Sequence, residues 1–555
     1  MSGPSTSTAV SYFRTNPRVS VRACPRVCGG RALRFVVALA LAAMPLVGCS
    51  TQSDTPPRPS TPSALRIGVA LPKTGTPGTG AQALVNNQVF DSIVGIAWDG
   101  RPVDRAVSKW QWTDDRLTLT LTLRPNLQFH DGTPINLPFF RDSLERLFRA
   151  AQSAQAKQPP QARNNVSFES IVDVTINGED SVAIKLSRPE AFLLTDLANL
   201  SLTLPDKPDI GFGPYRVTTR LPKTRLAAFD KYYRGRPEID VIEVEEFAEL
   251  RGSWAALMRG EIDAVHEINP GAIVFVQAEG QTNANTFPFM RPYYTQLFFN
   301  VRNPVLKNPA VRQALSYAVD RQGLIDSGLS RQGTVAEGPI WPFHWAYSTA
   351  QKTYTHNPEA ARLRLESAGL KIKPSKVPGR MASRLRLKCL TVEKDVRFEK
   401  IALVLQKQLY EVGVDMDIES LPAGELIKRM VAGDYDTILF ERTSGRSLAW
   451  TYLTFHSTHN VQGYTATDSV LERLRETTDE GKIRAAVSDL QQIFFDDPPA
   501  IFIAWPQVAR VVSTKFTVRD EQGQVVSGSP AGVRDDKGRD VVSSLWRWKL
   551  AESRR

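Results

Sequence analysis

Residues 117–123 read LTLTLTL, a strict alternation of leucine and threonine. A period of two puts every leucine on one side of an extended chain and every threonine on the other, which a helix cannot do. The segment is expected to be a β-strand with a buried leucine face and an outer threonine face. Arg124-Pro125 ends it, and Asp131-Gly132 followed by Pro134 supplies turn chemistry. Helical periods appear further on. Asn308-Pro309 offers an N-cap and a first-turn proline to the stripe Val311, Leu315, Ala318. Asn357-Pro358 does the same for Ala361, Leu365 and Ala368, with Gly369 as the stop. Ile401, Val404, Leu405 and Leu409 mark a third helix, which ends near Gly413 and leads into an alternating strand over residues 414–418. Residues 65–71 (LRIGVAL) read as a first strand, and the basic residues 371–384 as a solvated loop. Strands alternating with helices along 555 residues indicate an α/β fold with large cores.

An uncharged apolar run, residues 35–49 (FVVALALAAMPLVGC), follows Arg31 and Arg34. It falls short of the roughly 20 residues that span a bilayer and has the length of a secretory signal's hydrophobic region. Its end, Leu46-Val47-Gly48-Cys49, resembles a bacterial lipobox, whose cysteine takes a diacylglycerol and becomes the mature N-terminus. Residues 1–48 are thus expected to be a lipoprotein-type signal peptide, with Cys49 lipidated and the membrane a partner through that lipid. Residues 49–64, rich in Ser, Thr and Pro, cannot bury enough apolar surface to order themselves and read as a flexible tether. The net charge of +11 includes six arginines within residues 1–48; without them 63 basic residues face 58 acidic ones, or +5. So mild a balance, with no basic run interleaved with aromatics, argues against a nucleic-acid partner.

Catalytic patterns are lacking. Cys24 and Cys28 precede the apolar run, and Cys389 lies in the strand-like LRLKCL, where a buried inert thiol is expected. Residues 75–80 (GTPGTG) lack the lysine and helix start of a phosphate loop, and no G-x-S-x-G elbow occurs. His456 and His459 lie in a loop-like stretch, TFHSTHN, without a neighbouring acid or cysteine. No metal, no cofactor and no enzymatic activity are expected.

Several segments, in order, resemble the peptide/nickel family (family 5) of bacterial ABC-transporter extracellular solute-binding proteins. Residues 110–134 (WQWTDDRLTLTLTLRPNLQFHDGTP) are similar to that family's most recognisable hairpin, Phe212-Gly213-Pro214-Tyr215 to its GTGPY turn, and residues 230–237 (DKYYRGRP) to its Y-w-G-P turn. Gly260-Glu261-Ile262-Asp263, Asn300, residues 311–321, residues 357–369 and Gly433–Asp436 continue the series, which covers about residues 65–510. The resemblance implies a periplasmic-binding-protein-like fold of two α/β lobes with an additional subdomain, a ligand cleft between the lobes and a two-strand hinge. It divides the chain into lobe I (65–97, 208–290 and 500–555), the additional subdomain (98–207) and lobe II (291–499). It implies a monomer that takes a small solute or peptide and delivers it to an ABC permease and its ATPase.

The family's ligand anchors match this chain imperfectly. Peptide-binding members carry a tryptophan and then an aspartate after the strand that follows Asp436. Here Arg442 stands at the tryptophan and Gly445 near the aspartate, with Glu441 the nearby acid. A second segment often gives an arginine for the peptide carboxylate; here it offers Lys394. Either the chain holds peptides mainly by their backbone, or its ligand is another solute. Arg442 and Arg446 would suit a carboxylate, phosphate or sulfonate through forked hydrogen bonds, and they equally suit an ordinary solvated loop. Tyr294, Trp341 and Phe343 could stack on a ligand or belong to the core, and Asn300 completes the candidate set. The imperfect match leaves a second reading open: a regulatory or scaffold lipoprotein of the cell envelope that keeps the fold without transport.

Overall fold

The computed structural model describes residues 62–70, 80–157, 167–220, 222–279, 283–375, 378, 382–528 and 539–551. Cys49 with its apolar run, Cys24 and Cys28, the tether up to residue 61 and residues 71–79 of the glycine-containing segment lie outside the described residues. Among the described residues, no helix is long and apolar enough to cross a membrane.

One strand, Ala500–Ser513 (AIFIAWPQVARVVS), belongs to both halves of the molecule. It is apolar on both faces and buried almost throughout, as a strand covered on both sides must be. Its first half pairs antiparallel with Tyr293–Phe299 and Gly333–Val335. Its second half pairs with Ala284–Met290 and Ala264–Ile268. Pairing with the neighbouring chain stops at Met290–Gln507 and resumes at Thr295–Ala504. Pro292 and Pro506 lie in this gap, and neither has an N–H to offer a ladder. Two strands therefore cross between two sheets with their hydrogen bonding interrupted at one level, which is the hinge of a two-lobed fold.

On one side of the crossing the sheet runs Tyr215–Thr219, Thr224–Ala228, Val241–Phe247, Ala64–Ala70, Ala264–Ile268 and the long strand. Ala64–Ala70 is parallel to both its neighbours and sends Leu65, Ile67 and Val69 into the core. On the other side the order is Val414–Leu421, Leu385–Val392, Thr437–Thr443, Tyr293–Phe299 and the long strand, with a separate apolar core on each face. A third sheet, Val107–Trp112, Thr118–Leu123, Ser181–Leu186 and Ile171–Asn177, lies under the helix Leu137–Ala156. In Thr118–Leu123 the leucines are buried and the threonines partly exposed, as the alternation requires. The three expected helices form at Pro309–Tyr317, Pro358–Ser367 and Val396–Glu411. Asn308, Asn357 and Asp395 cap them through side-chain bonds to Ala310, Ala360 and Arg397 N–H. Gly369 and Gly413 follow the last two with φ of +81° and +84°, which glycine adopts without strain.

The halves also touch away from the hinge. Trp98, in the turn between Val94–Ile96 and Pro102–Asp104, packs edge-on against Trp341 at 5.0 Å and beside Phe343 at 5.5 Å. Trp341 Nε1 donates to the Trp98 carbonyl (2.8 Å), Trp345 N to the Asp99 carbonyl (3.0 Å), and Arg101 pairs with Glu480 (2.6 Å). Gly100 makes this approach possible: its φ is +83°, and a Cβ there would lie 2.5 Å from the Arg446 carbonyl oxygen. Next to the third sheet, Phe192 packs on Tyr452 and Ala191 N donates to the Arg475 carbonyl. Glu190 is carried along and buried. Neither of its carboxylate oxygens has a hydrogen-bond partner, and desolvation pushes its pKa up to about 8 against the pull of Arg475.

Two outcomes follow. Gly100→Ala should lower the urea midpoint, because a side chain at this φ costs roughly 1–3 kcal/mol and also lifts the turn off its partner. Glu190 binds its proton more tightly folded than unfolded, so its contribution is complete below about pH 4 and is lost as pH rises towards its folded value. Glu190→Gln should therefore gain stability relative to the parent between about pH 5 and about pH 9, measured by urea unfolding at both ends.

Candidate functional site

Where the strands cross, charged side chains from both lobes form a continuous file. On the Val396–Glu411 side, Arg397 holds Asp395 and Glu441, each at 2.7 Å. Arg291, beside Pro292, reaches Glu441 at 3.5 Å and Glu267 at 2.8 Å. Glu267 in turn meets Arg510 at 3.4 Å, and Arg510 meets Asp540 at 2.8 Å. Burial alone would lower both Arg397 and Arg510, but their carboxylate partners hold both above the usual arginine value. Asp540 is held below its ordinary range by Arg510 although burial opposes this. Charges this enclosed persist only when paired and hydrogen-bonded.

The file engages Glu441 in two ion pairs, with Arg397 and Arg291. Lys394 stands 76% exposed on the surface, at φ +63°, paired with Glu393. Asn300 is buried and directs its amide to the backbone, donating to the Gly433 and Tyr435 carbonyls and accepting from Arg302 N. Gly445 stands near the position of the family's aspartate, at φ +61°, where a Cβ would lie 2.0 Å from the Trp450 ring. An aspartate has no room there.

Arg442, Arg446, Tyr294, Trp341 and Phe343 do gather around one core, that of Phe298, Ile438, Tyr452 and Trp505. Tyr294 and Trp341 are buried, each packing edge-on to Trp505 at 5.3 Å. Phe343 is half-buried behind Trp98. Arg446, at φ +57°, lies over the Trp98 ring (5.8 Å), with its pKa lowered by burial and supported by the more distant Asp540 and Glu521. Arg442 sits opposite Tyr294 in the ladder, and its Nε donates to Thr454 Oγ1 (3.0 Å). Burial lowers the Arg442 pKa, and among the described residues no carboxylate stands within 4 Å of it or of Arg446.

Other groups escaped the sequence reading. Gln296, Tyr435 and Thr454 line the same face as Arg442. Arg291, Glu267, Arg510 and Asp540 build the file. The available signals were polar interruptions of apolar strands, Gln296 in YYTQLFF and Arg510 in VARVV. His456 turns one nitrogen to Glu472 (3.0 Å) and the other to Thr458 (2.8 Å), 6.2 Å from the His459 ring centre. Among the described residues no cluster of His, Cys, Asp and Glu could hold a metal. Cys389 is fully buried, and desolvation pushes its thiol up to about 11.

Known proteins resemble this chain in sequence and fold. The family described as bacterial extracellular solute-binding proteins, family 5, matches residues 101–463. The dipeptide-binding protein of Escherichia coli K12 is 24% identical over 85% of this chain and 91% of its own length. The oligopeptide-binding protein AppA of Bacillus subtilis is 22% identical over 71% and 76%. Among solved structures, the substrate-binding protein CtaP of Listeria monocytogenes superposes with a TM-score of 0.72 at 20% identity, covering 88% of this chain and all of that one. NikZ of Campylobacter jejuni, in complex with Ni(L-His), gives 0.68 at 21% identity, covering 88% and 99%. With the family match spanning nearly two thirds of the sequence over a hinged two-lobed fold, this chain belongs to the bacterial extracellular solute-binding proteins of family 5, which bind substrates and are not enzymes.

Proposed function

We propose that this chain is the lipid-anchored receptor of an ABC importer, taking up oligopeptides, dipeptides or a related small polar solute. Cys49 ties it to the extracytoplasmic face of the membrane, and lobe closure presents the loaded form to a permease. The observation that carries this reading is the hinge: two crossing strands whose pairing fails at Pro292 and Pro506, between lobes that also meet through Trp98. Such a joint can rotate where the two crossing strands release each other, while each lobe keeps its own sheet. The relatives are named for dipeptide, oligopeptide and glutathione binding, which supports a peptide-like solute. The second reading, an envelope scaffold without transport, is favoured by two positions. Glu441 is engaged by arginines, and Gly445 has no room for the side chain that would hold a peptide amine.

Three measurements separate these. Cys49→Ala should move the protein from the membrane fraction to the soluble one; retention on the membrane would refute the anchor. Denaturing the purified native protein and identifying released small molecules by mass spectrometry should yield a bound solute for a receptor and none for a scaffold. On saturation with that solute, small-angle scattering should show a smaller radius of gyration at unchanged mass. An unchanged profile would count against closure.

A further inference from the structure

Among the described residues of the lobe containing Tyr293–Phe299 and Thr437–Thr443, a few buried polar side chains lack partners, Thr295, Gln332 and Gln462 among them, and two gather on the face of Arg442. Tyr294 faces Arg442 across the ladder and Gln296 faces Phe440, so all four point to the same side of the sheet, with Phe298 and Ile438 next in line. On that side Gln296 is fully buried, and neither its amide nitrogen nor its amide oxygen has a hydrogen-bond partner. Tyr435 stacks on Phe298 at 6.4 Å, and its buried hydroxyl is also unpartnered. The Arg442 guanidinium carries a field that reaches both the Tyr294 and Tyr435 hydroxyls, yet its one hydrogen bond is from Nε to Thr454. Arg442 keeps part of its surface open to solvent, and its two Nη nitrogens donate to no acceptor among the described residues.

Buried polar atoms without partners are uncommon in native folds and call for an explanation. Here the buried unpartnered atoms are the Gln296 amide and the Tyr435 hydroxyl, beside the partly open Arg442 fork, in a setting of aromatic rings with no carboxylate to neutralise the arginine. From this geometry we infer that the pocket of Arg442, Gln296, Tyr435 and Tyr294 receives a carboxylate of the transported ligand, with the Arg442 fork taking both oxygens. This deepens the receptor reading and rests on it. A single guanidinium balances a monoanion; a phosphate dianion would leave charge uncompensated among Phe298, Phe440 and Trp505, where enclosed charge is costly. A planar carboxylate also matches the two parallel N–H donors, which an ammonium could not offer. The carboxylate could be a peptide's terminus or that of a non-peptide acid.

Titration calorimetry on the full mature chain, refolded to remove any bound solute, tests this with four probes. They are a mixture of tripeptides with free C-termini, the same mixture amidated, a set of small dicarboxylates, and inorganic phosphate. Binding of free-acid peptides but not amidated ones supports the pocket and names a peptide terminus as the source. Binding of dicarboxylates alone supports it and names a non-peptide acid. With the probe that binds, Arg442→Ala should weaken affinity about 30-fold or more, and Arg442→Lys should fail to restore it. The melting temperature of the ligand-free Ala variant should hold or rise, since an unpaired enclosed charge has been removed. Equal binding of amidated peptides, tighter binding of phosphate, or full affinity in Arg442→Ala would overturn the pocket while leaving the receptor reading intact. Failure of all four probes would overturn the pocket. If native protein also releases no small molecule on denaturation, the receptor reading falls as well.

Discussion

Asp395, Arg397, Glu441, Arg291, Glu267, Arg510 and Asp540 alternate in sign through the place where the lobes join, and the rest of the molecule is arranged around that file. Removing one partner from an enclosed pair typically costs about 3–5 kcal/mol, because the other charge is left without compensation. Each residue in the file therefore constrains the position of the next. Arg291 is the member on the crossing itself, and its planar group holds an acid of each lobe, Glu267 and Glu441. The file thus ties the two lobes together in one register at the joint.

This arrangement explains how Glu441 differs from the role first considered for it. As a residue near the family's amine-binding aspartate, it reads as a ligand contact; in the structure it faces Thr295 across the ladder and pairs with Arg291 of the crossing segment and Arg397 of the adjacent helix. Arg442, one residue on, faces the opposite side of the strand, away from the file and towards the aromatic core. The period of two in Thr437–Thr443 separates the paired charge of Glu441 from Arg442, which has no carboxylate partner among the described residues.

The fold was legible where local chemistry decides it. Leucine alternation, three capped helices and the ordered turn motifs can all be read within a few residues of chain, and the resemblance supplied the lobes and their crossing. The site was legible only in part. Arg442 stood out against the family pattern, but Gln296, Tyr435 and Thr454 come from separate stretches of chain and meet only through strand pairing and helix packing. Arg291 and Arg510 carried a weak signal as charges within apolar strands; their acidic partners lie on other elements, and no spacing rule connects them. Asn300 was legible as a motif residue but not as to purpose, since its amide serves the backbone around Tyr435.

Among the described residues, Ala500–Ser513 is the last strand longer than two residues, yet it lies inside both sheets. Until it arrives, Tyr293–Phe299 and Ala264–Ile268 each present an open edge, and neither lobe can complete its core. Closing these distant pairings is entropically costly, so assembly should be slow and late rather than lobe by lobe. In a chain emerging from a ribosome or a translocation pore, the third sheet can form from its own contiguous residues, but both lobes would remain incomplete until nearly all of the chain is out. Completion of the two lobes is thereby postponed to the compartment in which the whole polypeptide is present.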